Sequence, residues 1–171
     1  MPRFFVRPWF LGALALLATA LVYWPGLSGA FLFDDYPNIV TNTRVQPETL
    51  DWQAIKTAAS AYQPGYYGRP LATIGFALDF LAGGKNPWIY KVHSLALHLL
   101  NTLLVFLLAA RLLRLGGAGD ARRHALVASA IALLWAAHPL QVSTVLYVVQ
   151  RMEMMAHTFV LLGLLAYVSG R

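Results

Sequence analysis

Residues 8–33 read PWFLGALALLATALVYWPGLSGAFLF and carry no charged side chain. A helix crosses the hydrocarbon core of a bilayer with about 20 mostly apolar residues, so this stretch is long enough for one span. Three further uncharged runs follow, at Val92–Ala110, Leu126–Gln150 and Met154–Gly170. The pattern predicts an all-α, polytopic membrane helix bundle of about four transmembrane helices. Their predicted bounds are about 8–33, 88–113, 122–138 and 152–169, with an outer loop over 34–87.

The first run also has the basic start and apolar centre of a secretory signal peptide. Its apolar stretch is longer than such peptides need, and no clear small-residue cleavage site follows it. We therefore interpret it as an uncleaved helix, with a signal peptide as the alternative.

The composition of the whole chain supports a membrane protein. Apolar residues make up 58% of the 171 residues and charged residues 12%, whereas an average soluble domain has about 25% charged residues. The chain therefore has too few charges to cover a surface that faces water. It has no cysteine, which excludes disulfides, iron–sulfur clusters and thiolate zinc sites.

The positions of the basic residues predict the orientation. Short loops rich in Lys and Arg stay in the cytoplasm, and with four spans one side collects Arg3, Arg7, Arg111, Arg114, Arg122, Arg123 and Arg171. We therefore expect a protein of the inner (cytoplasmic) membrane with a cytoplasmic N-terminus and a periplasmic first long loop. The net charge of +6 is explained by this topology, so no nucleic-acid partner is expected.

The outer loop shows signals for two short helices. Thr49–Tyr62 has apolar residues at helical spacing with Thr49 as a plausible N-cap, which predicts an amphipathic surface helix. Leu71–Leu81 predicts a second helix that stops at Gly83-Gly84. Asn86-Pro87 then resembles an N-cap followed by proline at the first helical position, which predicts the start of the second span.

A proline divides the third apolar run. His138-Pro139 predicts a helix end, because proline removes a backbone donor and disfavours helix in the residue before it. Gln141–Val149 is then predicted to form a short interfacial helix before the last span.

The adjacent carboxylates of Asp34 and Asp35 are the first candidate site, because they follow directly after an apolar span. Carboxylates there are costly to bury, so they suit a wet cavity, a divalent cation or proton transfer. The alternative is a solvated turn, for which Asp is common. Arg69 has the planar fork that binds phosphate or carboxylate, and Tyr66 and Tyr67 beside it have rings that stack on a sugar or lipid. The alternative for Arg69 is an arginine that extends to lipid head groups.

Further candidates lie near the last two spans. His138, Arg151 and Glu153 flank the short loop between them, and ionisable groups at membrane depth are functional candidates. An internal salt bridge is the alternative for Arg151 and Glu153. The remaining polar residues have structural interpretations: helix–helix hydrogen bonds for His93, His98 and Asn101, and head-group anchors for Lys85 and Lys91.

Taken in order, these elements resemble the N-terminal part of GT-C type membrane glycosyltransferases. The likeness is closest to protein O-mannosyltransferases and their bacterial relatives that carry tetratricopeptide repeats. The matching elements are F-x-F-D-D at Phe31–Asp35, Y-x-R-P-L at Tyr67–Leu71, N-P-W-x-Y with a later L-H-L-L-N at Asn86–Asn101, and H-P-x-Q with V-x-Y-V at His138–Val148. Relatives usually continue into G-R-x-(D or E), whereas this chain has Gln150 in place of the glycine, followed by Arg151 and Glu153.

The resemblance implies inverting transfer of a sugar from a polyprenyl-phosphate donor to a protein or glycan acceptor on the extracytoplasmic face. It implies that Asp34 or Asp35 acts as base or as ligand of a divalent cation such as Mg²⁺ or Mn²⁺. Arg69 and Arg151 are implied to neutralise the lipid phosphate, with His138 and Glu153 nearby. Preorganised cations there would lower the barrier, because the departing phosphate gains charge in the transition state.

Such enzymes have more spans than this chain. We therefore expect residues 1–171 to form a single transmembrane domain, the N-terminal portion of a larger fold, and to be inactive alone. A non-catalytic membrane scaffold or assembly subunit remains an alternative. A transporter component is a third class, although its polar stripe through the spans is not evident here.

Overall fold

A computed structural model of the chain describes residues 8–62, 68–117 and 119–171. The predictions made for Arg3, Arg7, Tyr66 and Tyr67 lie outside the described residues. The described part is helical and contains no strand, which confirms the all-α fold class. Its α-helices are α1 (Pro8–Tyr23), α2 (Trp52–Ala59), α3 (Pro70–Gly83), α4 (Pro87–Leu115), α5 (Ala121–Ala136), α6 (Gln141–Leu146) and α7 (Arg151–Ser169). Short turns of other helix types lie at Trp24–Ser28, Tyr36–Val40, Thr43–Val45 and Val148–Gln150.

Three described helical stretches are long and apolar enough to cross a membrane: Phe10–Ser28, Pro87–Leu115 and Val148–Ser169. The first is shorter than the predicted 8–33, because residues 29–32 are not helical. Pro25 and Gly26 begin the tighter turn that ends it, since proline removes a helical donor. Gly26 also lets α6 approach, because an added Cβ would lie 2.2 Å from the Leu146 side chain.

Helix α5 has only 16 residues, about 24 Å at 1.5 Å per residue, so the predicted fourth crossing stays a prediction. Its path nevertheless follows the bundle. Ala128 packs on Ala109 and Ala110 in the second half of α4, and the Ala136 carbonyl accepts hydrogen bonds from His98 and Tyr23. Helix α5 therefore runs antiparallel to α4 and returns towards the end of the bundle where α1 ends. We call that end, where α4 begins, the outer end.

Several predicted helix boundaries are confirmed by their caps. The Asn86 side chain accepts the Trp88 N–H with Pro87 as the first helical residue. Helix α5 ends at Ala136, just before His138-Pro139. The predicted start of α2 is wrong: Asp51, not Thr49, is the N-cap, because its carboxylate accepts the Ala54 N–H at 2.7 Å. Thr49 instead donates to Asp51.

Polar side chains inside the bundle join the helices, as predicted. Asn101 of α4 donates to the Met154 carbonyl at 2.9 Å and accepts from Thr158 at 2.7 Å. His98 binds the Ala136 carbonyl at 3.0 Å. These bonds satisfy groups that lipid cannot, and they fix α5 and α7 against α4.

Candidate functional site

A polar cavity of about 780 Å³ opens at the outer end of the bundle. The turns that follow α1 form one wall, and the approaches to α3 and α7 form the other. Its described lining residues include carboxylates, amides, hydroxyls and two arginines: Asp34, Asn38, Thr41, Asn42, Thr43, Arg44, Tyr62, Arg69, Gln150 and Glu153, with Pro37, Ala61, Val149 and Met152. We call this space the outer cavity. Its mixed donors and acceptors suit a polar ligand such as a sugar phosphate.

The two predicted carboxylates, although adjacent, lie in opposite environments. Asp34 is exposed and lines the outer cavity. Asp35 is 0% exposed, and its two oxygens accept the N–H groups of Val149 at 2.7 Å and Leu32 at 3.0 Å. Only Asp34 is therefore free to meet a ligand.

The negative charge of Asp35 is compensated by a buried lysine, Lys91. Lys91 is 2% exposed, so the predicted head-group role for this lysine is wrong. Burial raises the pKa of the Asp35 carboxyl, while its two backbone hydrogen bonds and the Lys91 charge oppose that shift. Gly29 makes room for this ammonium group, because an added Cβ would lie 2.8 Å from Lys91 Nζ.

Arg69 and Glu153 meet across the outer cavity although they are 84 residues apart. Arg69 Nη1 donates to Glu153 Oε1 at 2.9 Å, and both side chains remain about half exposed. The Arg69 guanidinium also lies over the ring of Tyr62, 5.2 Å from its centroid. An exposed ion pair is worth only about 0–1 kcal/mol, so a phosphate can compete for Arg69 at little cost.

Arg151 differs from Arg69 because its guanidinium is buried, with 3% exposure. It forms an ion pair with Asp79 of α3 and donates to the Tyr90 carbonyl at 2.6 Å and to Ser94 at 3.2 Å. All three nitrogens of the guanidinium contact these partners. Arg151 is not among the described residues that line the outer cavity. The geometry therefore favours the internal salt bridge that the sequence left open, with a partner other than Glu153.

Asp79 is the centre of this buried cluster. It also contacts His93 of α4. Burial raises the pKa of the Asp79 carboxyl, and the charge of Arg151 is the largest opposing influence. The cluster ties α3, α4 and α7 together at the outer end.

His138 lies apart from the other candidates. Its Nδ1 accepts the Leu140 N–H at 3.3 Å, and it does not belong to the described lining of the outer cavity. Of the six predicted site residues, the structure thus brings Asp34, Arg69 and Glu153 to one cavity. It places Asp35 and Arg151 behind the cavity wall and His138 elsewhere.

The Asp34–Asp35 pair does not fit a chelated divalent cation. Asp35 is buried with both oxygens occupied, whereas Mg²⁺ or Mn²⁺ needs several oxygen ligands directed at one point. Within residues 8–62, 68–117 and 119–171, no group of three or more His, Asp or Glu is arranged to hold a metal ion.

The sequence reasoning did not select several residues that lie in or beside the cavity. Among them, Arg44 lines the outer cavity and donates to Ser60 at 2.7 Å. Asn38 also lines the cavity and donates to the Asp34 carbonyl. Tyr147 binds the Asp34 N–H from 113 residues away, and no local pattern predicts a contact over that separation.

Comparison with known proteins gives the same family as the ordered motifs. Protein O-mannosyl-transferase TMTC2 of Mus musculus is 32% identical over 165 residues, which cover 90% of this chain and 18% of that protein. The TMTC2 protein of Xenopus laevis is 33% identical over 165 residues, again 90% of this chain and 18% of its own length. The relatives of this chain are protein O-mannosyl-transferases.

A third relative, protein O-mannosyl-transferase TMTC1 of Mus musculus, is 32% identical over 166 residues, 91% of this chain and 17% of that protein. The resemblance to protein O-mannosyltransferases is therefore confirmed. The chain spans less than a fifth of the length of these relatives. No family model and no solved structure matches the chain.

Proposed function

We propose that this chain provides the donor-binding and base-bearing part of a membrane glycosyltransferase. It would transfer a sugar, with mannose as the sugar named by the relatives, from a polyprenyl-phosphate donor to a hydroxyl of a protein or glycan acceptor. The observation that carries the proposal is the outer cavity, in which exposed Asp34 and half-exposed Arg69 lie at the outer end of an apolar bundle.

The cavity chemistry suits an inverting displacement. The acceptor hydroxyl oxygen forms a bond to the anomeric carbon of the sugar while Asp34 takes the hydroxyl proton. The bond between that carbon and the phosphate oxygen breaks, and its electron pair leaves with the polyprenyl phosphate. General-base assistance of this kind contributes about a hundredfold to ten-thousandfold.

Arg69 is the residue proposed to receive the phosphate. Its guanidinium offers a planar fork to two phosphate oxygens, and it is already held at the cavity by Glu153 and Tyr62. Such a fixed cation stabilises the charge that develops on the leaving phosphate. Arg151, buried against Asp79, supports the wall from which Glu153 projects.

The step just described uses no metal, in keeping with the poor fit of the Asp34–Asp35 pair to a chelate. The proposed orientation puts the outer end on the extracytoplasmic side. It is supported by the arginines at the opposite end of α4 and around the start of α5, because basic short loops stay in the cytoplasm.

Donor binding tests the proposal without requiring turnover. The protein is reconstituted in lipid nanodiscs, and the dissociation constant for a polyprenyl-phosphate mannose is measured. We expect Arg69→Lys to weaken binding by about tenfold or more, because hydrogen bonds to charged groups contribute about 1.5–3 kcal/mol and the fork is lost.

Arg171→Lys is the matched control, since Arg171 lies at the far end of α7 against Tyr167. It should bind the donor as the wild type does. A wild-type protein with no measurable donor binding, or equal affinities for the two variants and the wild type, would contradict the proposal.

A further inference from the structure

Tyr147 connects the end of α6 to the candidate base. It lies between α6 and the turn that precedes α7, and its hydroxyl oxygen accepts the Asp34 backbone N–H at 2.8 Å. The phenol group of Tyr147 thus holds the backbone of Asp34.

Tyr147 remains a neutral phenol in this position. Burial raises its pKa, and the charges of Asp34 and Asp35 add to that shift, against the hydrogen bond from the Asp34 backbone. The hydroxyl therefore keeps its proton while it accepts from the Asp34 N–H.

The residue before Asp34 is strained and contacts the same tyrosine. Phe33 has a φ of 35°, among the described residues the only non-glycine φ above zero, and it is 81% exposed. Its ring meets Tyr147 edge to face, with 6.3 Å between the ring centroids. A bulky residue in this region is strained and persists only where its surroundings enforce the conformation.

The segment that holds Asp34 also contacts Asp35 and Arg69. Val149, two residues after Tyr147, donates its N–H to Asp35 at 2.7 Å. The following helix α7 presents Glu153, which holds Arg69. The candidate base and the candidate phosphate ligand are thus both positioned from residues 147–153.

We propose that Tyr147 is a positioning residue for Asp34. Its hydroxyl holds the Asp34 backbone N–H and so fixes where the carboxylate lies in the outer cavity for proton transfer from the acceptor. This role rests on the proposed function. Residues that position a reacting group can affect the rate as much as the reacting group itself. A misplacement of that group by about 1 Å lowers the rate on the order of a hundredfold.

The first measurement tests the contact and needs no activity. Tyr147→Phe removes the hydroxyl and keeps the ring against Phe33. With selective ¹⁵N labelling of aspartate, the exchange rate of the Asp34 amide is measured in nanodiscs. We expect Tyr147→Phe to accelerate this exchange by about tenfold, the equivalent of one hydrogen bond, and Tyr167→Phe at the far end of α7 to leave it unchanged.

The second measurement tests the role. In a transfer assay with polyprenyl-phosphate mannose and the complete enzyme, of which this chain is proposed to form a part, we expect Tyr147→Phe to lower kcat by about tenfold to a hundredfold. The KM for the donor should stay within about twofold, because Arg69 is untouched and a loss of transition-state interactions alone lowers kcat. Tyr167→Phe should match the wild type in both constants.

The outcomes separate this proposal from the one on which it rests. Unchanged Asp34 exchange in Tyr147→Phe overturns the contact. If the wild type transfers the sugar and Tyr147→Phe has the same kcat, the positioning role alone is overturned. Absence of transfer by the complete wild-type enzyme overturns the proposed function, and the role of Tyr147 with it.

Discussion

The carboxylate of Asp35 supplies acceptors that the chain lacks where it leaves α1. The N–H groups of Leu32 and Val149 both donate to it, and residues 29–32 have no helical structure of their own. A buried carboxylate is tolerated there because hydrogen bonds and the charge of Lys91 compensate for its desolvation. Asp35 thus binds the backbone, and the Asp34 carboxylate remains available in the outer cavity.

The two aspartates should therefore differ in stability measurements. We expect Asp35→Asn to lower the free energy of unfolding by about 1–3 kcal/mol, because an amide offers one acceptor oxygen to two N–H donors and leaves one unsatisfied. Asp34→Asn, at an exposed position, should stay within about 0.5 kcal/mol of the wild type. Reversible denaturation in detergent measures both, and equal losses in the two variants would contradict the assignment.

The sequence could predict that one of these carboxylates is functional but not which one. Two adjacent acids after a span look alike in a sequence, and either could be the buried one. The decision comes from Val149, 114 residues further along the chain. The same limit applies to Arg151, because no local pattern predicts that it pairs with Asp79.

The sequence predicted the helix boundaries correctly where the residue that caps or ends the helix lies next to the boundary in the chain. Asn86 caps α4, and α5 ends just before His138-Pro139. The start of α2 was misplaced by two residues because Thr49 and Asp51 are both good N-caps, and only the carboxylate of Asp51 meets the Ala54 N–H. The π-helical turn at Tyr36–Val40 has no comparable sequence signal.

The buried ion pair between Asp79 and Arg151 joins helix α3 to α7. Such a pair is weak evidence for stability, because desolvation of two charges offsets much of their attraction. Its geometric effect is clearer: α3 is held beside α7, and Arg69 just before α3 then lies 2.9 Å from Glu153. The pair thus acts on the cavity indirectly.

Helix α5 decides on which side of the membrane the segment after it lies. It is short for a span, yet it connects the inner end of α4 to the outer segment 141–150, whose Val149 binds Asp35. With impermeant thiol labelling of intact cells, we expect Thr43→Cys and Ser143→Cys to react and Ala118→Cys to be spared. The natural sequence has no cysteine, so each variant has a single thiol.

Labelling of Ala118→Cys together with protection of Thr43→Cys would reverse the orientation. Labelling of Thr43→Cys with protection of Ser143→Cys would show that α5 does not return the chain to the outer side.

For the whole molecule, the outer cavity forms only when three distant segments meet. Residues 34–44 follow the first span, Arg69 precedes α3, and Glu153 lies in the first turn of α7. Periodicity and charge predicted the membrane bundle, since both are local properties. The resemblance implied that the site residues lie together, and the outer cavity contains Asp34, Arg69 and Glu153 but not Asp35, Arg151 or His138.

The exposed faces of the spanning helices agree with a lipid environment. Phe159, Val160 and Leu162 of α7 are about half exposed, whereas the polar cavity is confined to the outer end. A ligand with an apolar tail and a charged head group could therefore approach from the membrane and present its phosphate to Arg69. This arrangement is what the proposed transfer requires.

Sugar transfer by the Asp34→Asn variant tests the central claim most directly. Wild-type and variant forms of the complete enzyme, of which this chain is proposed to form a part, are assayed in proteoliposomes with a polyprenyl-phosphate mannose and a hydroxyl acceptor. Glu48→Gln, a matched change in the same loop outside the outer cavity lining, is assayed beside them. We predict that Asp34→Asn lowers kcat by at least about a hundredfold, because the general base is lost, while Glu48→Gln stays close to the wild type. Transfer by Asp34→Asn at the wild-type rate would contradict the account.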